Sequence, residues 1–281
     1  MGRILSSLCI FLLVFTGLYW VWETQPVFRH FVKERLHAGE FLTLEVRYSP
    51  EDIVDKYNAD LSTGDKRTLL EPILVFHPYA FMEVKFIRKD NGTGEGVVLW
   101  GLLDGEMLID THKWNKTHGY EDCLIAKASP QDFRIINTLA DNGGSLDREG
   151  LLNILFVENK ILDRWIESCK RKQLVMQRGN DYYLHFENPV LVSTPETYMA
   201  HRLVKKAYKH SERVPTVYHI SQIETLAQAA FGEGFTVRNA REVYLPVYQL
   251  SVENPDGSLL TTQWNAVTGD KIDEDYTGFY P

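Results

Sequence analysis

The sequence predicts an α+β protein: an N-terminal transmembrane helix, then two related β-α-β-β-β units flanking an inserted, mainly helical domain. Three observations carry that expectation. Residues 4–22 are almost wholly apolar. A hydroxyl residue followed by proline and an acidic or amide side chain recurs at Ser49, Ser129 and Thr194, marking helix starts. A tryptophan five residues ahead of a turn glycine occurs twice, in Trp100–Gly105 and Trp264–Gly269. The boundaries expected are 1–25 for the anchor, 26–125 and 193–281 for the two units, and 126–192 for the insert.

The apolar segment comes first. Nineteen residues at ~1.5 Å per residue reach about 28 Å, close to the ~30 Å core of a bilayer. Tyr19, Trp20 and Trp22 stand at one end, where amphipathic rings favour the interface. A cleaved signal peptide is the rival reading, but Thr16 to Gln25 offers no small-x-small cleavage site. The expected localisation is a single-pass membrane protein. Its charged tip favours the non-cytoplasmic side for the rest, although Arg29, Lys33 and Arg35 argue the other way.

Composition bounds the remainder. Of 281 residues, 44% are hydrophobic and 12% aromatic, which suits globular domains rather than disorder. Thirty basic against 38 acidic residues give a net charge of −8, which argues against general attraction to nucleic acid. Cys9 lies within the apolar segment, and Cys123 and Cys169 can pair only if the fold brings them together.

In the first unit, Leu44, Val46 and Tyr48 alternate as a strand running into the Ser49 cap. Ile53, Tyr57 and Leu61 then recur at helical spacing. Ala80, Met82, Val84 and Phe86 share one face of a strand after Pro78. A turn at Asn91-Gly92 leads to a strand containing Trp100, and Asp104-Gly105 turns into a last one. The second unit follows the same order. A strand at Val217 to Ile220 enters a capping box at Ser221, and Ile223, Leu226, Ala227 and Ala230 form a helix face. Tyr248, Leu250 and Val252 follow Pro246, then come Trp264 and a turn at Thr268-Gly269. Self-similarity of this kind predicts a duplicated unit whose copies hide their apolar sheet faces by packing together. The stretch from Tyr244 to Ile272 resembles the hairpins of PepSY-type modules, small non-catalytic domains of exported and membrane proteins.

The insert has Phe133, Ile136 and Leu139 on a first helix, a break at Asn142-Gly143-Gly144, and a short helix through Leu151, Leu152 and Leu155. A third helix, from Glu158 to Lys172, sets Ile161, Leu162, Trp165, Ile166 and Cys169 on one face. Two strands follow around Gly179-Asn180. Over residues 129–188 this order resembles a winged helix-turn-helix domain, so the insert is expected to be a winged-helix domain. The resemblance implies nucleic-acid contact through Lys160, Arg164, Lys170, Arg171 and Lys172. Eight basic residues against nine acidic ones over that span argue against it.

The densest polar run is Asp110 to Cys123. His112, His118, Glu121 and Cys123 are its candidate metal ligands, and Cys123 with His118 its candidate nucleophile and base. Their spacing fits no recognised zinc pattern, and a thiolate needs a positioned base. His77 and His185 read as satisfied strand residues. Residues 62–66 lack phosphate-loop spacing. No catalytic motif, metal site or cofactor is therefore expected. The function expected is a membrane-anchored, non-catalytic protein-interaction or assembly module whose partners are the membrane and another protein. A membrane-bound DNA-binding regulator is the first alternative. A hydrolase or metal protein built on the 110–123 run is the second.

Overall fold

The computed structural model describes residues 39–57, 68–88, 91–186, 188–192, 194–209 and 211–272, together with Thr16 and Thr24. Its strands are β1 (Glu40–Leu44), β2 (Thr68–Leu69), β3 (Ile73–Ile87), β4 (Thr93–Gly101), β5 (Met107–Asp110), β6 (Asn115–Lys116), β7 (Ser145–Asp147), β8 (Val175–Arg178), β9 (Asp181–Leu184), β10 (Leu203–Ala207), β11 (Glu212–Arg213), β12 (Thr236–Glu253), β13 (Leu259–Asn265) and β14 (Lys271–Ile272). The helices are α1 (Pro50–Lys56), α2 (Tyr120–Ile125), α3 (Pro130–Asp141), α4 (Arg148–Leu155), α5 (Asn159–Arg171) and α6 (Ile220–Phe231).

Among the described residues, eleven strands form one curled sheet whose main path is β10-β1-β12-β3-β4-β5-β6, with β13 and β14 continuing from β12. The centre is the antiparallel pair β3 and β12, which run together from Lys85 opposite Thr236 to Phe76 opposite Pro246. Both strands are β-rich in composition and long, and each contains one proline. Pro78 and Pro246 accept hydrogen bonds through their carbonyls from Leu102 N (3.1 Å) and Ala266 N (3.0 Å). The missing N–H of each therefore faces the outer edge, where one neighbour strand ends and the next begins. Between β11 and β4, and between β1 and β13, no ladder bond is lost.

The same contacts recur on both sides of this pair. Ala80 faces Trp100, which faces Met107; Tyr248 faces Trp264, which faces Lys271. Leu102 O accepts from Val217 N and Tyr218 N, and Ala266 O accepts from Arg47 N and Tyr48 N. The lead-in to each helix thus crosses to the other hairpin. Ile53 of α1 packs with Leu250, Trp264 and Ala266, whereas α6 packs its Ile223, Leu226 and Ala227 in the cluster that holds Met82 and Trp100.

These observations correct the expected architecture. The strands of the two units belong to one sheet, and each unit's helix covers the other unit's hairpin, so neither is a separate β-α-β-β-β body. The middle segment is not an independent inserted domain. Its α3, α4 and α5 carry a small antiparallel sheet, β7-β9-β8, but Phe133, Ile136, Leu151 and Ile166 share one core with Trp100, Tyr120 and Ile223. The whole is a mixed α/β protein with six helices among the described residues. Among those residues no helix is long and apolar enough to cross a membrane. No membrane-spanning helix therefore enters the described fold, against the expected architecture and the single-pass localisation drawn from it. Apart from Thr16, the segment 4–22 lies outside the described residues.

Local signals were followed unevenly. Ser49 and Ser129 each close a capping box with Asp52 and Asp132, with proline at the first helical position. The strand expected at Leu44 to Tyr48 lies earlier, at β1. Val217 to Ile220 is not a strand, and α6 is capped by His219 and Gln222 rather than from Ser221. Thr194-Pro195-Glu196 starts no helix, because Thr197 N bonds Val97 O and Tyr198 N bonds Ile109 O, holding the chain extended across β4 and β5. Asp147, not Ser145, caps α4.

Candidate functional site

Two turns enclose a polar cleft. One is the β5–β6 turn with the chain after it, residues 113–118; the other is the β13–β14 turn, residues 265–272. Between them lies a cavity of about 420 Å³ lined by Lys113, Trp114, Lys116, His118, Asn265 and Lys271 among others. A narrower recess of about 20 Å³ lies against His77, Tyr79, Asp104 and Leu245 and shares Trp114, Lys116 and Ile272 with it.

The β5–β6 turn is held from below. Asp110 Oδ1 accepts from His112 N at 2.6 Å, an Asx turn that tightens the corner. Thr111 is tied to the crossing segment through Tyr198 O and Ala200 N. Trp114 adopts φ +56°, a left-handed conformation that costs a bulky L-residue on the order of 1–3 kcal/mol. Its ring meets Tyr79 edge-on, centroids 5.7 Å apart. The next charged residue, Lys116, turns inward to Asp104 Oδ2 at 2.5 Å and over the Tyr79 ring at 5.4 Å. This ion pair is largely buried.

His77 lies in the recess, 9% exposed, and its Nε2 has no hydrogen-bond partner. Burial first, then the nearby Lys116 charge, lowers its pKa to about 4, with Asp104 opposing. The ring is therefore neutral near pH 7. Across the cleft, Asn265 is 2% exposed. Its Oδ1 accepts from Val267 N (2.8 Å) and Thr268 N (3.2 Å), which fixes the amide's orientation. The Nδ2 donor is left unpartnered. A buried polar group without a partner costs ~1–3 kcal/mol. Gly269, at φ +75°, makes the turn that presents Asn265, and a Cβ there would meet the Tyr48 ring at 2.9 Å. Asp270, also on this rim, is engaged by Lys56 Nζ at 3.2 Å and Tyr57 Oη at 3.3 Å.

The structure scatters the residues singled out from sequence. His112 and His118 are exposed. Glu121 accepts from Tyr218 Oη at 3.0 Å. Cys123 is fully buried on α2, facing a separate cavity between α2 and α6, and burial pushes its thiol up. Among the described residues no group of three or more His, Cys, Asp or Glu is placed to hold a metal ion. Cys123 and Cys169 are both free. Glu106, also buried, is structural: it accepts from Thr117 Oγ1, Gly119 N and Glu121 N and so closes the start of α2. On α5, Lys160, Arg164 and Arg171 are exposed. Lys170 contacts Glu167 at 3.1 Å, and Lys172 turns back to the buried Asp132 at 2.6 Å.

Sequence reasoning passed over His77 as a satisfied strand residue, and the structure corrects this. Lys113, Trp114 and Lys116 lie within the polar run 110–123 but were not singled out from it, and Asn265 was missed. The recurrence of Trp-x4-Gly was the available signal, since it places Asn265 at the position of Gly101, where a side chain is not otherwise needed. Comparison with known proteins assigns nothing further: no family model, curated protein or solved structure matches the chain.

Proposed function

We propose that this chain is a non-catalytic protein-interaction module that receives an extended segment of a partner protein in the cleft between residues 113–118 and 265–272. The observation that carries the reading is the pair of buried, unpartnered polar atoms, His77 Nε2 and Asn265 Nδ2, each on one of two hollows that share Trp114, Lys116 and Ile272. A bound segment would supply the missing hydrogen bonds and recover part of their cost. Strain held at Trp114 supports the same reading, because such conformations cluster at ligand clamps. An extended occupant suits the surroundings. Among the described residues, β6 pairs only with β5 and β14 only with β13, leaving two short strand edges on the cleft.

A photo-crosslinking residue at position 113 of the full chain tests this against the same residue at Glu149, which is exposed on α4. A discrete partner adduct is expected from position 113 alone, and its loss is expected when Asn265→Leu is added. Equal adducts from both positions, or an adduct at 113 indifferent to Asn265, would overturn the proposal.

A further inference from the structure

The charge and donor inventory of the cleft points to the chemistry of that segment. The chain as a whole is acidic, at −8, yet the cleft is lined by Lys113, Lys116 and Lys271. The two acids at its margins are already engaged, Asp104 by Lys116 and Asp270 by Lys56. Among the described residues neither Lys113 nor Lys271 has an ion-pair partner. Two positive charges are thus left uncompensated at the mouth. Below them, Asn265 offers a donor and no acceptor, because its oxygen is taken by the turn. A neutral imidazole can add a second donor from His77 Nε2.

We infer that the cleft recognises an acidic peptide segment, one carboxylate reaching Asn265 Nδ2 and the His77 recess while neighbouring acids face Lys113 and Lys271. The inference rests on the cleft being the partner site. Carboxylate is named rather than phosphate because the occupant is an extended protein segment, whose unmodified acidic side chains are carboxylates. The segment is supplied by a partner, and the chain's own Asp273, Glu274 and Asp275, which follow Ile272 in the sequence, are the competing source.

The test labels the full chain with 5-fluorotryptophan, assigns the Trp114 resonance with Trp114→Phe, and titrates with hexaglutamate, hexaglutamine, inorganic phosphate and oligothymidylate. Hexaglutamate is expected to shift Trp114 with an affinity at least about tenfold above hexaglutamine, weakening with salt as screening requires. Lys113→Gln with Lys271→Gln, both exposed, is expected to weaken it roughly tenfold without lowering the melting temperature, which sets aside misfolding. Equal binding of hexaglutamine overturns the acidic class while the cleft remains the partner site. Stronger binding of phosphate or oligothymidylate overturns it in favour of phosphate anions. No shift with any probe, while the position-113 adduct still forms, overturns the inference alone; no shift and no adduct overturns both. If neutralising Asp273, Glu274 and Asp275 raises hexaglutamate affinity tenfold, the natural occupant is the chain's own segment, and the partner assignment fails.

Discussion

Trp100 and Trp264 stand at matching positions of two hairpins, and each is covered by an aromatic residue from the opposite half of the chain. Phe231 at the end of α6 lies 6.5 Å from Trp100, and Tyr57 beyond α1 lies 4.6 Å from Trp264, centroid to centroid. Both indoles are almost wholly buried. Truncating either to alanine should cost about 3–5 kcal/mol, the usual range for a core aromatic. Because each contact joins the halves, urea unfolding of both variants should remain one transition. Two separated transitions in either would show that the halves are independently stable.

His77 sets an acid limit. The unfolded chain protonates this residue near 6.5, whereas the folded chain resists until about 4. Stability from the neutral ring is complete above pH 6.5 and is lost as pH falls toward 4, about 3 kcal/mol in all. Urea midpoints measured at pH 7, 5.5 and 4.5 should fall more steeply in the native chain than in His77→Gln. Parallel slopes would refute a buried neutral imidazole.

Asp132 acts lower on the scale. Burial alone would raise its pKa, but the Lys172 ammonium, then Ser129 and Ser168, outweigh it and hold the carboxyl at about 2. Its contribution is present above the ordinary value of 3.8 and disappears as pH falls to about 2. Lys172→Met should cost about 2 kcal/mol at pH 7 by leaving a buried charge uncompensated. Adding Asp132→Asn should recover part of that loss. Strict additivity in the double-mutant cycle would mean the pair is not coupled.

Trp114 separates stability from binding. Trp114→Asn replaces a bulky residue with one that tolerates φ +56°. Relief of strain and loss of the Tyr79 contact oppose each other, so melting should shift little, within about 1 kcal/mol. Partner adducts at position 113 should nevertheless disappear. Retained adducts with unchanged yield would place recognition elsewhere.

Cys123 and Cys169 should be inert. Both are buried and both thiols are pushed up by burial, with Asp122 and Asp132 respectively as the next contributions. In a Cys9→Ser chain, a thiol reagent should react only on the timescale of global unfolding. Reaction within seconds would show that this core opens locally.

What sequence could show was local. Ser49 and Ser129 announced α1 and α3 because a hydroxyl, a proline and an acid act within one turn. The paired tryptophans announced two hairpins because hairpin register is set by nearby turns. The exchange of helices was not legible, since Leu102 and Val217 meet only through the tertiary fold. Thr194-Pro195-Glu196 misled for the converse reason: strand β4 and the Ile109 carbonyl claim that backbone first. The candidate site was hidden most deeply. A histidine or an asparagine with an idle nitrogen looks in sequence like any other.

Thr43 Oγ1 donates to Tyr244 O across 201 positions of chain. A nascent chain leaving the ribosome therefore exposes one edge of β1 and of β3 before β12, the strand between them, has been made. At about 5–20 residues per second, that interval lasts on the order of ten seconds or more. Strand edges left open for so long invite mispairing, so chaperone protection during synthesis, rather than the finished fold's own stability, should govern how much of this protein a cell accumulates.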